Sequence, residues 1–485
     1  MNAINASLTV ILLTFLPVSA QTPSRNPSAA RPLAFTRVTA IDATGAAAKP
    51  EMTVVVADGR IAAVGKTGEV RIPKNAQVVE AAGKFLIPGL WDMHVHLAKT
   101  GERTLSLFVA NGVTSVRDMG GDPDLVLKWR REVEEGKRTG PRIKAAGPIL
   151  ESAGNVARMK REGTVEPVDR FRRGIADPAS AEAVVDSLAK LGVDFLKIRT
   201  AASLDTFKAI AAAARKHNLA LVGHPAAPPE EILSAGQRSL EHGFFPPLSG
   251  RTKEQRAELF QQFAAQGIAV TPTLIVGEAL LLPYDKTAAI FEDRQGKIEP
   301  RRKYLSGYLI EDWREQLAEK KDSRFDLAGM LAGRLRDMRE MREAGVTLLP
   351  GTDAAVLLIF PGFSLHDELR LFVEQIGMTP MEAIISATRR PAEFFGMQDR
   401  LGTIEPGKIA DLVLLDANPL EKITNTQMIA GVVANGVFHP AKSLRRMLAE
   451  VEAAAVQPKR MTAIPNYSHR KATNGSTFVA RRAGR

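Results

Sequence analysis

The chain has 485 residues, 45% of them hydrophobic and 25% charged, a globular composition long enough for more than one core, which excludes disorder, collagen and coiled coil for its bulk. Cysteine is absent, which removes disulfide frameworks, thiol catalysis, thiolate zinc sites and iron–sulfur clusters together and leaves His, carboxylate or a modified side chain to hold any metal. The net charge of +11 would suit nucleic acid if it covered one face, but seven basic residues and no acidic ones fall in residues 457–485; the body is nearly balanced, which argues against a nucleic-acid partner and marks the tail as a disordered basic appendage.

Residues 1–20 read as a signal peptide, with an apolar run from Leu8 to Leu16 before Val18-Ser19-Ala20, although the segment ahead of that run has no Lys or Arg. The run is too short to span a bilayer, and no other stretch approaches the roughly 20 apolar residues of a spanning helix. The expectation is an exported chain, periplasmic or secreted, without stable membrane insertion. A Pro/Ser/Arg-rich linker (Thr22 to Pro32) leads into short strands at 35–42, 52–59 and 60–65, punctuated by Gly and Asp turn signals.

From residue 85 short apolar strands alternate with helical patterns. FLIPGLWDMHVHL, VTSVRDM (113–119), IKAAGPIL (143–150), VDFLKIRT (193–200), LALVGHP (219–225), RSLEHGF (238–244), IAVTPTL (268–274) and VTLLPGTDA (346–354) make eight, the pattern of a (β/α)8 TIM-type barrel over 85–399. Ser203 is placed to cap the helix after the fourth strand, and Thr379-Pro380-Met381-Glu382 is a capping box. Strand texture returns at 401–416 and 428–439, so segments 33–84 and 400–445 are expected to form one small β-sandwich domain beside the barrel. The connection from Thr273 to Val346 is long and charge-rich, which predicts extra helices over one end of the barrel.

The strongest chemical signal is His94-Val95-His96 on the first barrel strand. Alternate strand residues point the same way, so both imidazoles can grip one ion. His224 and His242 stand near later strand ends, and Asp353 ends the eighth strand, where a barrel enzyme keeps its site. Four histidines and a carboxylate suit a zinc-type centre with nitrogen and oxygen ligands. Lys197 lies mid-strand among apolar neighbours, where a free ammonium is expensive to desolvate. Either it pairs with a carboxylate, which spacing alone favours, or CO2 converts it into an anionic carbamate bridging two metals.

The set LWDMHVHL, FLKIRT, VGHP, SLEHGF and PGTDA, with LGTIEPGKIADLVLLD near the far end, resembles the metal-dependent amidohydrolase superfamily, in its imidazolonepropionase-like and secreted prolidase-like dipeptidase branch. The likeness runs from about 35 to 445. It implies two divalent ions, zinc by the donor set, with His94, His96 and Asp353 on one, His224 and His242 on the other and carbamylated Lys197 between them. Asp353 would also handle the proton of the bridging hydroxide. The implied reaction is hydrolysis of an amide-type C–N bond in dipeptides or N-acyl amino acids. Hydrolysis of a cyclic amide, deamination, or an inactive barrel kept as a binding protein are the alternatives.

Many relatives carry Gly-Gly-His after the third strand, whereas this chain reads ESAGNVARMK with Asn155 at the aligned position. Candidate substrate contacts are therefore Asn155, Arg117 with the Gly120-Gly121 pair, and Arg199; a guanidinium or Gly-rich nest can hold a carboxylate. His366, His217, His439 and His469 lack strand-end partners and are assigned surface or capping roles, and Asp92 is expected to orient the first strand or a ligand. The partner expected is a small-molecule substrate; a homo-oligomer is compatible with the sequence.

Overall fold

The computed structural model describes residues 31–244, 248–322 and 326–456. The expected signal peptide and basic tail lie outside the described residues. No described helix is long and apolar enough to cross a membrane.

The eight barrel strands are Leu90–Val95, Val113–Asp118, Arg142–Ala145, Phe195–Ile198, Ala220–Gly223, Ser239–Glu241, Ala269–Thr271 and Thr347–Leu348. The first three pair in parallel, and so do the last five. Two seams close the ring. Asp194 N donates to Ala145 O at 2.9 Å between the third and fourth strands. Between the eighth and first, Met93 N donates to Pro350 O at 2.9 Å and His96 N to Ala354 O at 3.1 Å. Most residues of these strands are buried on both faces, as expected of parallel strands wrapped by helices.

The capping signals act as expected. Ser203 accepts from Thr206 N at 3.1 Å at the start of Leu204–Lys216, and Thr379 and Glu382 form the reciprocal capping box of Pro380–Ser386. The helix Leu204–Lys216 buries Phe207, Ile210, Ala211 and Ala214, the apolar stripe of its sequence.

Both ends of the described chain meet in one mixed sheet of eight strands. Leu412–Leu415 lies between Phe85–Pro88 and Ile429–Ala434, antiparallel to both. Its own core gathers Phe35, Val38, Val54 and Leu86 with Leu412, Leu414 and Val433. The stretch FLIPGLWDMHVHL is therefore two strands: Phe85–Pro88 belongs to this sheet, and the barrel begins at Leu90. Gly89 marks the crossing, because a Cβ there would stand 2.0 Å from Thr114 Oγ1. IKAAGPIL likewise divides, its end contributing to an added strand, Ile149–Ser152, which pairs with Arg172–Ile175. A helix not foreseen, Ala441–Val456, buries Leu444, Met447 and Val451.

The long connection holds the helices Leu274–Leu281, Tyr284–Glu292, Tyr308–Asp322 and Leu327–Glu343. Tyr308–Asp322 sits at the C-terminal ends of the strands: Lys99, just after the first strand, donates to Asp312 at 3.1 Å, and Trp313 Nε1 donates to Ala355 O at 3.1 Å. Because Leu412–Leu415 and its neighbour Ile429–Ala434 both follow residue 410, ending the chain there removes them together and leaves Phe85–Pro88 with an unpaired edge. The truncated protein should be insoluble or rapidly digested in limited proteolysis, whereas the full chain resists.

Candidate metal centre

Three imidazoles are fixed by one ring nitrogen each. His94 Nδ1 meets Glu241 Oε2 at 2.8 Å, His96 Nδ1 meets the carbonyl of Gly120 at 2.7 Å, and His242 Nδ1 meets Thr273 Oγ1 at 2.7 Å. The Nε2 atoms are left to converge. Those of His94 and His96 each lie 3.4 Å from Asp353 Oδ1, and that of His242 lies 3.8 Å from Asp353 Oδ2. Donor atoms of His94, His96 and Asp353 all fall within 4.8 Å of one another. The ring of His242 is 4.8 Å from that of His94 and 4.9 Å from that of His224. Outer contacts that fix a tautomer and aim the other nitrogen are the usual support of metal-binding histidine.

The backbone that presents these groups is strained. His242 has φ +66°, Thr273 +47° and Asp353 +57°, a left-handed region that costs a non-glycine residue about 1–3 kcal/mol. Hydrogen bonds hold it: His242 N to Thr271 O at 2.8 Å and Asp353 N to His94 O at 2.7 Å. Asp92 accepts from His94 N at 3.2 Å and from Thr352 N and Oγ1 at 3.0 and 2.6 Å, tying the first strand to the eighth. At Gly223 (φ +136°) a Cβ would sit 1.9 Å from Ile198 O, so only glycine brings His224 close beside the fourth strand.

Lys197 is 2% exposed, and its Nζ has no hydrogen-bond partner. Burial pushes the ammonium down to about 8 against the opposing pull of Glu241 and Asp353, while Arg117 and Arg199 push it further down. The ion pair that spacing favoured is not formed. Burial also lowers His94 to about 4 and holds His224 and His242 well below the usual imidazole value. Neutral imidazole is the metal-ligating form. Burial would raise the Asp353 carboxyl, but the surrounding His94, His96 and His242 hold it well below the ordinary range. Neutral imidazoles, a carboxylate and two buried polar atoms without partners, Lys197 Nζ and His94 Nε2, are the donor set and the unmet demand that divalent cations fit.

Three expected substrate contacts have other work. Arg117 is 0% exposed, and its five polar contacts lie inside the barrel. Nε donates to Met93 O at 2.6 Å, Nη1 to Ser239 Oγ at 3.2 Å, and Nη2 to Glu241 Oε1 and Oε2 at 2.8 and 2.9 Å and to Thr271 Oγ1 at 3.0 Å. Fully buried and turned to these partners, the guanidinium does not face substrate. The Gly120-Gly121 pair is no anion nest: Gly121 N donates to Gly147 O at 3.1 Å and Gly120 N is turned to the Asp118 carboxyl. The glycines serve packing, since Cβ atoms there would meet Ile149 at 2.4 Å and Ala98 at 2.7 Å. Asn155 gives its amino group to Glu151 at 2.7 Å and receives Arg158 on its carbonyl at 2.7 Å. Arg199 remains at the strand ends, partly exposed.

His366 is buried, not superficial, between Thr426 Oγ1 and Asn111 O. His217 is the C-cap of Leu204–Lys216 and faces Asp186, His439 is half-buried in the mixed sheet, and His469 lies outside the described residues.

The sequence reading missed Glu241, the partner of both Arg117 and His94, although a carboxylate beside His242 in an apolar strand was visible. It also missed Glu151, Thr273 and Thr352, whose roles come from strands far apart in the sequence.

Residues 85–438 match the model of the Amidohydrolase family. Among curated proteins the chain is 26% identical over 431 residues to ochratoxinase of Aspergillus niger, covering 76% of this chain and 78% of that one. It is 24% identical over 436 residues to imidazolonepropionase of Symbiobacterium thermophilum, with 81% and 90% covered. A solved structure from Bifidobacterium longum, assigned as a prolidase, superposes with a TM-score of 0.66 at 27% identity over 87% of this chain and 99% of that one.

Replacing Arg117 by Met leaves Glu241 buried without its counter-charge, which should cost about 3–5 kcal/mol. Thermal melts should register the loss, and the double variant Arg117→Met with Glu241→Leu should recover part of it.

Proposed function

The chain belongs to the amidohydrolase family, and from that premise we propose that it is an exported, binuclear metal-dependent enzyme acting on dipeptides or N-acyl amino acids. That it is an amidohydrolase, hydrolysing an amide-type carbon–nitrogen bond, follows from the family. The reading of two ions is carried by one observation: Lys197 Nζ is buried without a hydrogen-bond partner among His94, His224, His242 and Asp353, and with His96 beside them these six candidate donors are too many for one tetrahedral shell.

His94, His96 and Asp353 would hold one ion, His224 and His242 the second, and Lys197, as its carbamate, both. Bound there, divalent ions, zinc by the donor set, supply Lewis acidity and make water nucleophilic at neutral pH. The protein's own part is placement and proton movement. Glu241, Gly120 O and Thr273 keep three imidazoles aimed at one point without rearrangement, so little reorganisation is needed during reaction. Asp353, the carboxylate in contact with the Nε2 side of three imidazoles, takes the proton of the attacking water and delivers it to the leaving nitrogen. A C–O bond forms, the C–N bond breaks, and acid and amine leave as separate products. Export rests on residues 1–20 and a small-molecule substrate on the family; a homo-oligomer is compatible with both.

A hydrolysis screen of the metal-loaded protein against dipeptides, N-acyl amino acids, lactams and lactones tests the substrate class. Turnover confined to lactams would move the reading to a cyclic amide, the alternative raised by the imidazolonepropionase relatives. Asp353→Asn should lower kcat by about two to four orders of magnitude with a smaller change in KM; near-normal kcat with metal retained would send the proton-transfer role elsewhere. Lys197→Ala should lower metal content and activity together, with partial rescue by small carboxylic acids, as read by elemental analysis and rate.

A further inference from the structure

Arg199 lies two positions after Lys197, just past the fourth barrel strand (Phe195–Ile198), in the ring of strand ends that carries the candidate centre. Its guanidinium is fastened on one side: Nη1 donates to Glu151 Oε1 at 3.1 Å. Among the described residues, Nε and Nη2 make no other hydrogen bond, and a third of the side chain (33%) is exposed.

Glu151 does not rest on this contact alone. It is wholly buried and also takes Arg172 Nη1 at 3.0 Å, Thr200 Oγ1 at 2.5 Å and Asn155 Nδ2 at 2.7 Å. Arg172 is itself held by Glu166 through both Nε and Nη2. Three donors besides Arg199 thus hold the buried carboxylate, and although Arg199 is the foremost charge stabilising it, Arg199 in turn gains from it a fixed position.

A guanidinium anchored at one corner, with two donor positions free and partly in solvent, is a preorganised receptor for a planar anion. We propose that Arg199 binds the free carboxylate of the substrate's amino-acid portion, so that the enzyme selects N-acyl amino acids and dipeptides by their C-terminal carboxylate. This rests on the amide reading above and names the group that would position such substrates across the centre. Fixing that end of the substrate limits how the scissile amide can lie over the strand ends.

The test is equilibrium binding by titration calorimetry, with hydrolysis rates alongside, on the metal-loaded full chain. The probes are N-acetyl-L-phenylalanine, N-acetyl-L-leucine and their carboxamides. Wild type should bind and turn over the acids in preference to the carboxamides. Arg199→Met should raise the Kd and KM of the acids by about 10- to 100-fold, the range for a charge-assisted hydrogen bond, and leave the carboxamides unchanged. Arg199→Lys should recover part of the loss, keeping charge without the fork. Equal affinity of wild type for acids and carboxamides, no binding of either acid, or an equal loss on both probe types in Arg199→Met overturns the proposal. If Arg199→Met fails to fold in a circular-dichroism melt, the wild-type comparison and Arg199→Lys decide. Hydrolysis of acids and carboxamides alike would remove the anchor and keep the C–N hydrolase reading. Arg199-dependent binding of the acids without cleavage would keep the anchor and remove these compounds as substrates.

Discussion

Glu241 is the buried charge on which the arrangement of the barrel mouth depends. Its carboxylate is held by the Arg117 fork and turns to His94 Nδ1, and these side chains are shut off from solvent. An isolated charge in that position would be prohibitively expensive; as a pair with further hydrogen bonds from Ser239, it becomes a fixed strut. The strut spans the first, second and sixth strands, so the direction of His94 is decided inside the barrel and not at its rim. Breaking it would disturb folding and the candidate centre together.

The same logic recurs around the mouth. Lys99, Glu166, Arg172, Glu151 and Arg199 form a chain of alternating charge, and Asp312 ties that chain to the helical insertion. Within the barrel, charge fixes a ligand. Around its mouth, charge joins loops that follow different strands to the helices lying over them.

Much of the fold was legible because period and punctuation carry it: eight short apolar strands, helices with their caps, and a change of texture at both ends. What the sequence did not separate were strands sharing one apolar run. FLIPGLWDMHVHL is continuous in hydrophobicity, and only the approach of Thr114 to Gly89 reveals where one sheet hands over to another. The candidate histidines and Asp353 were visible because they stand at or near strand ends, and Lys197 because it is a charge inside an apolar strand. The substrate contacts fared worse for a physical reason: an arginine or a glycine pair in a loop looks the same whether it faces water or packs inward. Arg117 gives both terminal nitrogens to strands more than a hundred residues away, and no local pattern encodes that. Asn155 was read as a contact and instead supports Glu151.

The mixed sheet joins residues from the two ends of the described chain, and this has a consequence for how the molecule is made. Pro88 pairs with Leu412, so about 320 residues separate partners in one ladder, and at roughly 5–20 residues per second of synthesis the early strands wait tens of seconds for the later ones. During that time Phe85–Pro88 presents an apolar, unpaired edge, the kind of surface that recruits other chains. The barrel between them is built from near neighbours in sequence and can begin to form first. Closure of the sheet is then a late event in the life of each new chain, and a holding chaperone would act in the interval before Leu412–Leu415 arrives.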